Sequence, residues 1–107
     1  MHRAIFVDRD GTLIEDQRYN FQPDSLQLLP GVPSGLRVLR EAGYKLVVIT
    51  NQSGVARGLF DEDRVQEVHA RLARILAEEG VFIDAFYYCP HYEKGLVPEY
   101  SIDCDCR

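Results

Sequence analysis

The chain has 107 residues, of which 46% are hydrophobic and 27% are charged, and this composition excludes collagenous, fibrous and disordered classes. Its formal charge of -5 argues against nucleic acid as a main partner, because binding a phosphate backbone requires clusters of Lys and Arg. No apolar stretch approaches the roughly 18 residues of a membrane span, and acidic residues follow the N-terminus too soon for a secretory signal. We therefore expect a cytoplasmic protein without a membrane partner.

The first half of the chain predicts one strand and one helix. Ala4 to Val7 form a short apolar run that stops at acidic residues, as a buried parallel strand does at the carboxyl edge of its sheet. Residues 12–29 show no sustained period, which indicates a long excursion or flap. Apolar residues at helical spacing predict a helix from Pro33 to about Ala42, and Gly43 is the type of residue that ends a helix.

The second half predicts a strand, a helix and a strand. Lys45 to Ile49 are mostly apolar and β-branched, and polar residues follow them. Asp61 is a good N-cap for a helix with one apolar stripe, which Gly80 terminates. Residues 85–88 form the third strand. The order of elements predicts a single α/β domain over residues 1–107, with a parallel, Rossmann-like sheet and flanking helices, and ligands at the carboxyl ends of its strands.

Two aspartates follow the first predicted strand. Asp8 and Asp10 stand at i and i+2, so an extended backbone would point both carboxylates to the same side. Two like charges this close require that one stays protonated or that a cation lies between them, and such hard oxygen ligands suit Mg²⁺. A surface turn is the alternative, because Asp and Gly11 are turn residues. The apolar strand before the pair, and Thr50 after the next strand, favour the Mg²⁺ site.

All three cysteines fall in one cluster near the C-terminus. Cys89 and His91 form one pair of metal ligands, and Cys104 and Cys106 form a second. Four soft ligands with no open position describe a structural Zn²⁺ site, so we expect a zinc loop over residues 89–106. The alternative is three free thiols and a surface histidine, and the clustering of every cysteine disfavours it.

The motif D-R-D-G-T at residues 8–12, placed after an apolar strand, and the Thr after the next strand resemble the first two motifs of the haloacid dehalogenase superfamily. The resemblance implies that Asp8 is the nucleophile that attacks phosphorus to give an aspartyl-phosphate. It implies that Asp10 is the general acid and then the general base. It also implies that the Asp8 carboxylate and the Asp10 backbone carbonyl hold Mg²⁺, while Thr50 hydrogen-bonds the phosphoryl group.

Three further segments resemble the D-glycero-D-manno-heptose 1,7-bisphosphate phosphatases of this superfamily: N-Q-S-G-V-A-R-G at 51–58, Y-Y-C-P-H at 87–91 and C-D-C-R at 104–107. Histidinol-phosphate phosphatases are similar and have the same four zinc ligands, but Ser53 and the longer zinc loop favour the heptose branch. The resemblance implies hydrolysis of a small phosphorylated sugar, the heptose bisphosphate, to its 1-phosphate, a step toward bacterial lipopolysaccharide precursors.

The same resemblance makes Asn51, Arg57 and Arg107 candidate substrate contacts beside Thr50. Lone arginines are more often solvated surface residues, and that alternative stays open for both of them. We expect His69, within the second helix, to be an ordinary and partly exposed residue.

The sequence ends at Arg107 and does not include the later segments of the family pattern. In the family, later segments supply a lysine that neutralises charge at Asp8 and phosphate, and acidic residues that complete the Mg²⁺ site. We therefore expect a fold that is incomplete at the C-terminus, an uncovered edge on the first strand, and weak activity at best for the chain alone. A C-terminal remainder of the same product or a partner chain would complete it. Sugar-bisphosphate phosphatase, histidinol-phosphate phosphatase and a non-catalytic, zinc-stabilised fragment stay open as functions.

Overall fold

Strands and helices alternate along the chain. The computed structural model describes residues 3–17 and 19–106. Its three strands are parallel and lie in the order β1, β2, β3, which confirms the predicted α/β fold. None of the described helices is long and apolar enough to cross a membrane. The elements are β1 (Arg3–Val7), α1 (Val32–Glu41), β2 (Tyr44–Asn51), α2 (Glu62–Glu78) and β3 (Ala85–Cys89), with a short 3-10 turn at Pro23–Ser25.

Both α-helices begin and end where the sequence predicts, within a residue or two. Pro33 lies in the first turn of α1, where its missing N–H leaves no bond unmade. After α1, Gly43 adopts a left-handed φ of 95°, which lets the chain turn back into β2. The Asp61 side chain caps α2 by accepting the Arg64 backbone N–H at 2.9 Å.

Two strands differ from their predicted form. β2 continues two residues beyond the predicted end, because Thr50 and Asn51 still pair with β3. The prediction that β1 is buried is wrong within the described residues: β1 is an edge strand, as expected for an uncovered edge, and Phe6 is 63% exposed. Strand alternation places Phe6 on the sheet face opposite the helices, together with Ile49 and Tyr87, which are also exposed.

The hydrophobic core lies between the other sheet face and the two helices. The predicted flap at residues 12–29 is anchored in this core through Leu13 and Ile14, both fully buried. Backbone bridges join Ile14 to Asp10 and to Leu28. The excursion therefore closes over the end of β1. The buried core residues are Leu13, Ile14, Leu26, Leu36, Leu46, Val48, Val68, Leu72, Leu76, Val81 and Ile83.

His69 belongs to the buried side of α2, so the expectation of a partly exposed residue is wrong. It is 4% exposed, and its ring stacks on Phe86 with centroids 4.7 Å apart. Its position fits the apolar stripe, because Val65 precedes it by four residues and Leu72 follows it by three. Burial and the nearby charge of Arg9 lower the pKa of His69 to about 4.

We expect His69 to make the protein less stable as the pH falls from about 6.5 to about 4. The folded pKa lies below the unfolded value, so the unfolded chain binds the proton first and is favoured as the pH decreases. The full loss is on the order of 3 kcal/mol. His69→Gln keeps a neutral hydrogen-bond acceptor and cannot titrate, so it should remove this loss.

Urea unfolding of both chains at several pH values across this range measures the effect. The quantity of interest is the difference between parent and variant, from which contributions of other groups cancel. Parallel pH profiles of the free energy of unfolding in the two chains would contradict the prediction.

Candidate active site and metal centre

A cleft of about 520 Å³ opens at the carboxyl ends of the strands. Every strand contributes to it: Asp8 follows β1, Thr50 and Asn51 end β2, and Cys89 ends β3. The three segments singled out in the sequence thus meet at one edge of the sheet, as parallel pairing predicts. Among the described residues, the cleft is lined by Asp8, Ile49, Thr50, Asn51, Tyr87, Tyr88, Cys89 and Cys106.

The Asp8 carboxylate is exposed at this cleft. One of its oxygens, Oδ1, accepts the backbone N–H of Arg9 at 2.8 Å. The chain then turns sharply, with Gly11 at a φ of 81° and its N–H bonded to the carbonyl of Ile14 at 2.8 Å. This turn leaves the Asp8 side chain at the mouth of the cleft, accessible to a ligand.

The Asp10 carboxylate has different surroundings, because protein donors hold it. The Arg9 guanidinium binds it with two N–H groups, Nε to Oδ1 and Nη2 to Oδ2, each at 3.0 Å. Asn20 Nδ2 donates to Oδ1 at 2.8 Å, and Gln52 Nε2 lies 3.4 Å from Oδ2. The Asp10 side chain remains 22% exposed, so it is fixed in orientation without being sealed from solvent.

Gln52 links the two predicted motifs. Its buried amide donates to Thr50 Oγ1 at 2.9 Å and approaches Asp10 as described above. Thr50 is buried, whereas Asn51 is exposed at the cleft. The structure therefore brings Asp8, Thr50 and Asn51 to one cavity and joins Asp10 to Thr50 through a single side chain.

Of the two candidate arginines, the structure describes Arg57, and Arg57 is not among the described residues that line the cleft. The Arg57 guanidinium lies over the ring of Tyr92, 3.9 Å from its centroid. Its Nε is 3.4 Å from Ser53 Oγ. Arg57 thus contacts the predicted zinc loop, and a role in substrate binding stays a prediction. Arg107 lies outside the described residues.

The predicted zinc ligands are gathered at one point. The ligand atoms of Cys89, His91, Cys104 and Cys106 all lie within 4.8 Å of one another. Cys89 Sγ is 3.3 Å from Cys104 Sγ and 3.6 Å from His91 Nδ1, and Cys106 Sγ is 3.4 Å from the same nitrogen.

These spacings fit a tetrahedral Zn²⁺. Zinc bonds of about 2.3 Å to sulfur and about 2.0 Å to nitrogen place two such ligands about 3.6 Å apart. Hydrogen bonding with Cys104 and Cys89 raises the pKa of Cys106 to about 11, so these neighbours disfavour the ionised form of the Cys106 thiol. A bound divalent cation reverses that preference. The donor set and its geometry therefore suit zinc.

The rest of the loop is held by backbone and tyrosine contacts. The Ala56 carbonyl accepts the N–H groups of Leu96 and Val97 at 2.7 and 2.9 Å. This approach requires Gly95, since a Cβ there would collide with the same carbonyl. From the other side, the Tyr100 hydroxyl donates to Glu62 of α2 at 2.7 Å.

Glu62 joins the loop to β3 as well as to α2. Its carboxylate accepts the hydroxyls of Tyr100 and Tyr88, each at 2.7 Å. These two hydrogen bonds lower the pKa of Glu62. The carboxylate is thus ionised at neutral pH and holds Tyr88, which lines the cleft, together with Tyr100 of the loop.

Sequence reasoning missed four residues that surround Asp10: Arg9, Asn20, Gln52 and His69. The spacing of His69 with the apolar stripe of α2 was an available signal. The other three are polar residues in turns or loops, and no local pattern indicates that they become buried together.

Comparison with known proteins agrees with the resemblance seen in the sequence. Residues 3–94 match the family Polynucleotide kinase 3 phosphatase. The chain is 48% identical over 107 residues to D-glycero-beta-D-manno-heptose-1,7-bisphosphate 7-phosphatase of Haemophilus influenzae. That alignment covers all of this chain and 58% of the relative, so the chain spans little more than half the length of the relative.

Solved structures give the same picture. A protein of Mesorhizobium loti described as a HAD-like phosphatase superposes with a TM-score of 0.92 at 38% identity, over 99% of this chain and 51% of its own. D,D-heptose 1,7-bisphosphate phosphatase of B. bronchiseptica, complexed with magnesium and phosphate, superposes with a TM-score of 0.83 at 36% identity, over 98% of this chain and 55% of its own. The chain therefore belongs to the Polynucleotide kinase 3 phosphatase family and to the haloacid dehalogenase-like phosphatases.

Proposed function

We propose that this chain carries the nucleophile of a Mg²⁺-dependent phosphatase that converts D-glycero-D-manno-heptose 1,7-bisphosphate to its 1-phosphate. One observation supports it above the others: at the edge where the strands end, the exposed Asp8 carboxylate shares a cleft with Thr50 and Asn51. The substrate is taken from the relatives named above, which are heptose bisphosphate phosphatases.

In the first step, an Asp8 carboxylate oxygen attacks the phosphorus of the C7 phosphate. The bond between phosphorus and the sugar oxygen breaks, and Asp10 transfers a proton to that oxygen as it leaves. An aspartyl-phosphate on Asp8 and the free sugar alcohol result. The Thr50 hydroxyl and the Asn51 side chain, both at the cleft, would hydrogen-bond the phosphoryl oxygens.

In the second step, water attacks the same phosphorus. Asp10, now a carboxylate, takes a proton from the water, and the bond between phosphorus and the Asp8 oxygen breaks. Inorganic phosphate leaves, and Asp8 returns as a carboxylate. The close donors around Asp10 fix the orientation of its carboxylate, which suits the uptake of a proton from water in this step.

The Asp8 carboxylate and the Asp10 backbone carbonyl would hold Mg²⁺. When bound, the ion neutralises charge on the phosphoryl group and lowers the cost of bringing two anions together. The fit rests on the chemistry of the donors: an exposed carboxylate at the cleft and a carbonyl are oxygen ligands of the type that Mg²⁺ prefers.

The Cys and His cluster would hold a structural Zn²⁺. Cys89 and Cys106 also line the cleft, so the metal would fix the part of the loop that forms one wall of the site. Four protein ligands leave no open position for a substrate or a water molecule. We therefore propose that zinc would maintain the shape of the cleft and take no part in the reaction.

Replacement of the nucleophile tests the proposal. The protein to assay is an extended form, made by joining the chain to the part of the Haemophilus influenzae relative that it does not match. We expect Asp8→Asn to lower kcat on the heptose bisphosphate at least about a thousandfold, because the amide cannot form the covalent intermediate. Phosphate release in the presence of Mg²⁺ measures it.

The matched control is Asp24→Asn, an equal change at an exposed carboxylate of the 3-10 turn, which should leave kcat within about twofold. Unchanged turnover in Asp8→Asn would refute the proposal that Asp8 is the nucleophile of a phosphatase.

Assay of histidinol phosphate beside the heptose bisphosphate shows which of the two candidate substrates the enzyme hydrolyses. Equal turnover by the 107-residue chain and the extended form would contradict the expected weakness of the chain alone.

A second prediction concerns the metal. We expect the purified chain to bind one Zn²⁺ and Cys104→Ser to lose it, with a decrease of several kcal/mol in the free energy of unfolding. Asp105→Asn, an exposed residue between the two cysteines, is the matched control and should retain the metal. Elemental analysis together with Co²⁺ absorption spectra measures it. Equal zinc content in the two variants would show that the cluster is not the site.

A further inference from the structure

Arg9 is a charged residue inside the protein, since its side chain is only 1% exposed. Its guanidinium binds the Asp10 carboxylate through two N–H groups and donates to the Tyr19 carbonyl at 3.3 Å. A buried charge costs several kcal/mol unless it is well paired, and apolar residues of similar volume would often serve stability as well. A purely structural role therefore gives little reason for an arginine at this position.

The opposite side of the guanidinium is bound by a residue from another element. Arg9 Nη1 lies 3.1 Å from His69 Nε2 on α2. A guanidinium can only donate, so Nε2 must accept, which requires a neutral imidazole that carries its proton on Nδ1. The low pKa of His69, about 4, agrees with this state. Its ring is fixed in turn by stacking on Phe86.

The chain segment after the motif is bent to reach the same carboxylate. Tyr19 and Asn20 have positive φ angles of 74° and 45°, a conformation that costs about 1 kcal/mol or more for residues other than glycine. This bend lets the Asn20 amide donate to Asp10 and brings the Tyr19 carbonyl to Arg9. The acidic motif, the segment around Tyr19 and helix α2 thus all contact the Arg9 guanidinium.

We propose that Arg9 and His69 are positioning residues of the phosphatase reaction: His69 holds the Arg9 guanidinium, and the planar fork of Arg9 fixes the Asp10 carboxylate for proton transfer. The inference rests on the proposed function, because it assigns the proton transfers to Asp10. Arg9 binds the Asp10 carboxylate directly and His69 contacts Arg9, so each would act through Asp10 and not on the substrate.

Replacements at Arg9 and His69 can remove the hydrogen bonds of each side chain while they keep its charge or its aromatic ring. Arg9→Lys keeps the positive charge and loses the two parallel hydrogen bonds. His69→Phe keeps an aromatic ring that can stack on Phe86 and loses the acceptor for the guanidinium, whereas His69→Gln restores a neutral acceptor. Arg74→Lys, at an exposed position of α2, is the matched control for the arginine change.

The experiment measures the two chemical steps separately in the extended form. Rapid quenching with p-nitrophenyl phosphate that carries radiolabelled phosphate gives the rate constant for formation of the aspartyl-phosphate. A chase with the unlabelled compound then gives the rate constant for decay of the labelled intermediate. Nitrophenolate is a good leaving group that needs no proton, so formation does not depend on Asp10. Decay depends on it, because Asp10 must take a proton from water.

We expect Arg9→Lys to slow decay about tenfold or more and to change formation by less than about threefold. His69→Phe should slow decay about threefold to tenfold, and His69→Gln should return it to within about twofold of the parent. These are rate constants of folded enzyme, so a fraction of unfolded protein lowers the amplitudes and leaves the rate constants unchanged. The Arg74→Lys control should match the parent in both steps.

The results separate a failure of the proposed phosphatase function from a failure of the positioning roles of Arg9 and His69. A parent enzyme with no phosphate on Asp8 would overturn the proposed function and the inference together. A parent that forms and hydrolyses the intermediate, with decay in Arg9→Lys and His69→Phe equal to that of the parent, would overturn the inference alone. Equal slowing of both steps would also overturn it, because it would indicate a general distortion of the site.

Discussion

Parallel pairing of β2 with both of its neighbours is the constraint on which the site depends. Because the three strands run in one direction, the residues that follow β1 and those that end β2 and β3 meet at a single edge of the sheet. The catalytic candidates Asp8 and Asp10 and the four candidate zinc ligands all lie there. An antiparallel neighbour would have sent one of these groups to the far end of the sheet, more than a strand length away.

The two acidic residues of the motif are made different by what surrounds them. Asp8 contacts one backbone N–H and faces the cleft, whereas Asp10 is bound by side chains from the motif, the following excursion and the end of β2. An accessible carboxylate suits attack on phosphorus, and a fixed carboxylate suits proton transfer. The same residue type would thus support the two proposed roles, because the tertiary structure surrounds the two positions differently.

Among the described residues, helices cover one face of the sheet and leave the other exposed. Both helices cover the same sheet face, while Phe6, Ile49 and Tyr87 are exposed on the other. Parallel sheets in α/β proteins usually have both faces covered. Ile49 and Tyr87 also line the cleft, so the bare face and the candidate active site are continuous.

The sequence alone determined the order of elements, both helix boundaries, the acidic motif and the four zinc candidates. Each of these rests on local chemistry: apolar periodicity, an Asp cap on α2, a glycine turn after α1, and Cys and His at short spacing. These signals are readable because each depends only on residues near in the chain. Even His69 was readable in principle, since it fits the apolar stripe of its helix.

Only the tertiary structure decided which polar groups meet. Arg9 and His69 are sixty residues apart, and the two amides that reach Asp10 come from Asn20, ten residues after it, and Gln52, forty-two residues after it. Nothing near any of these residues in the sequence specifies the contact, because it arises from packing of α2 and the excursion against the end of β1. The exposed edge position of β1 is likewise a property of its neighbours, and an apolar run of four residues cannot reveal what lies beside it.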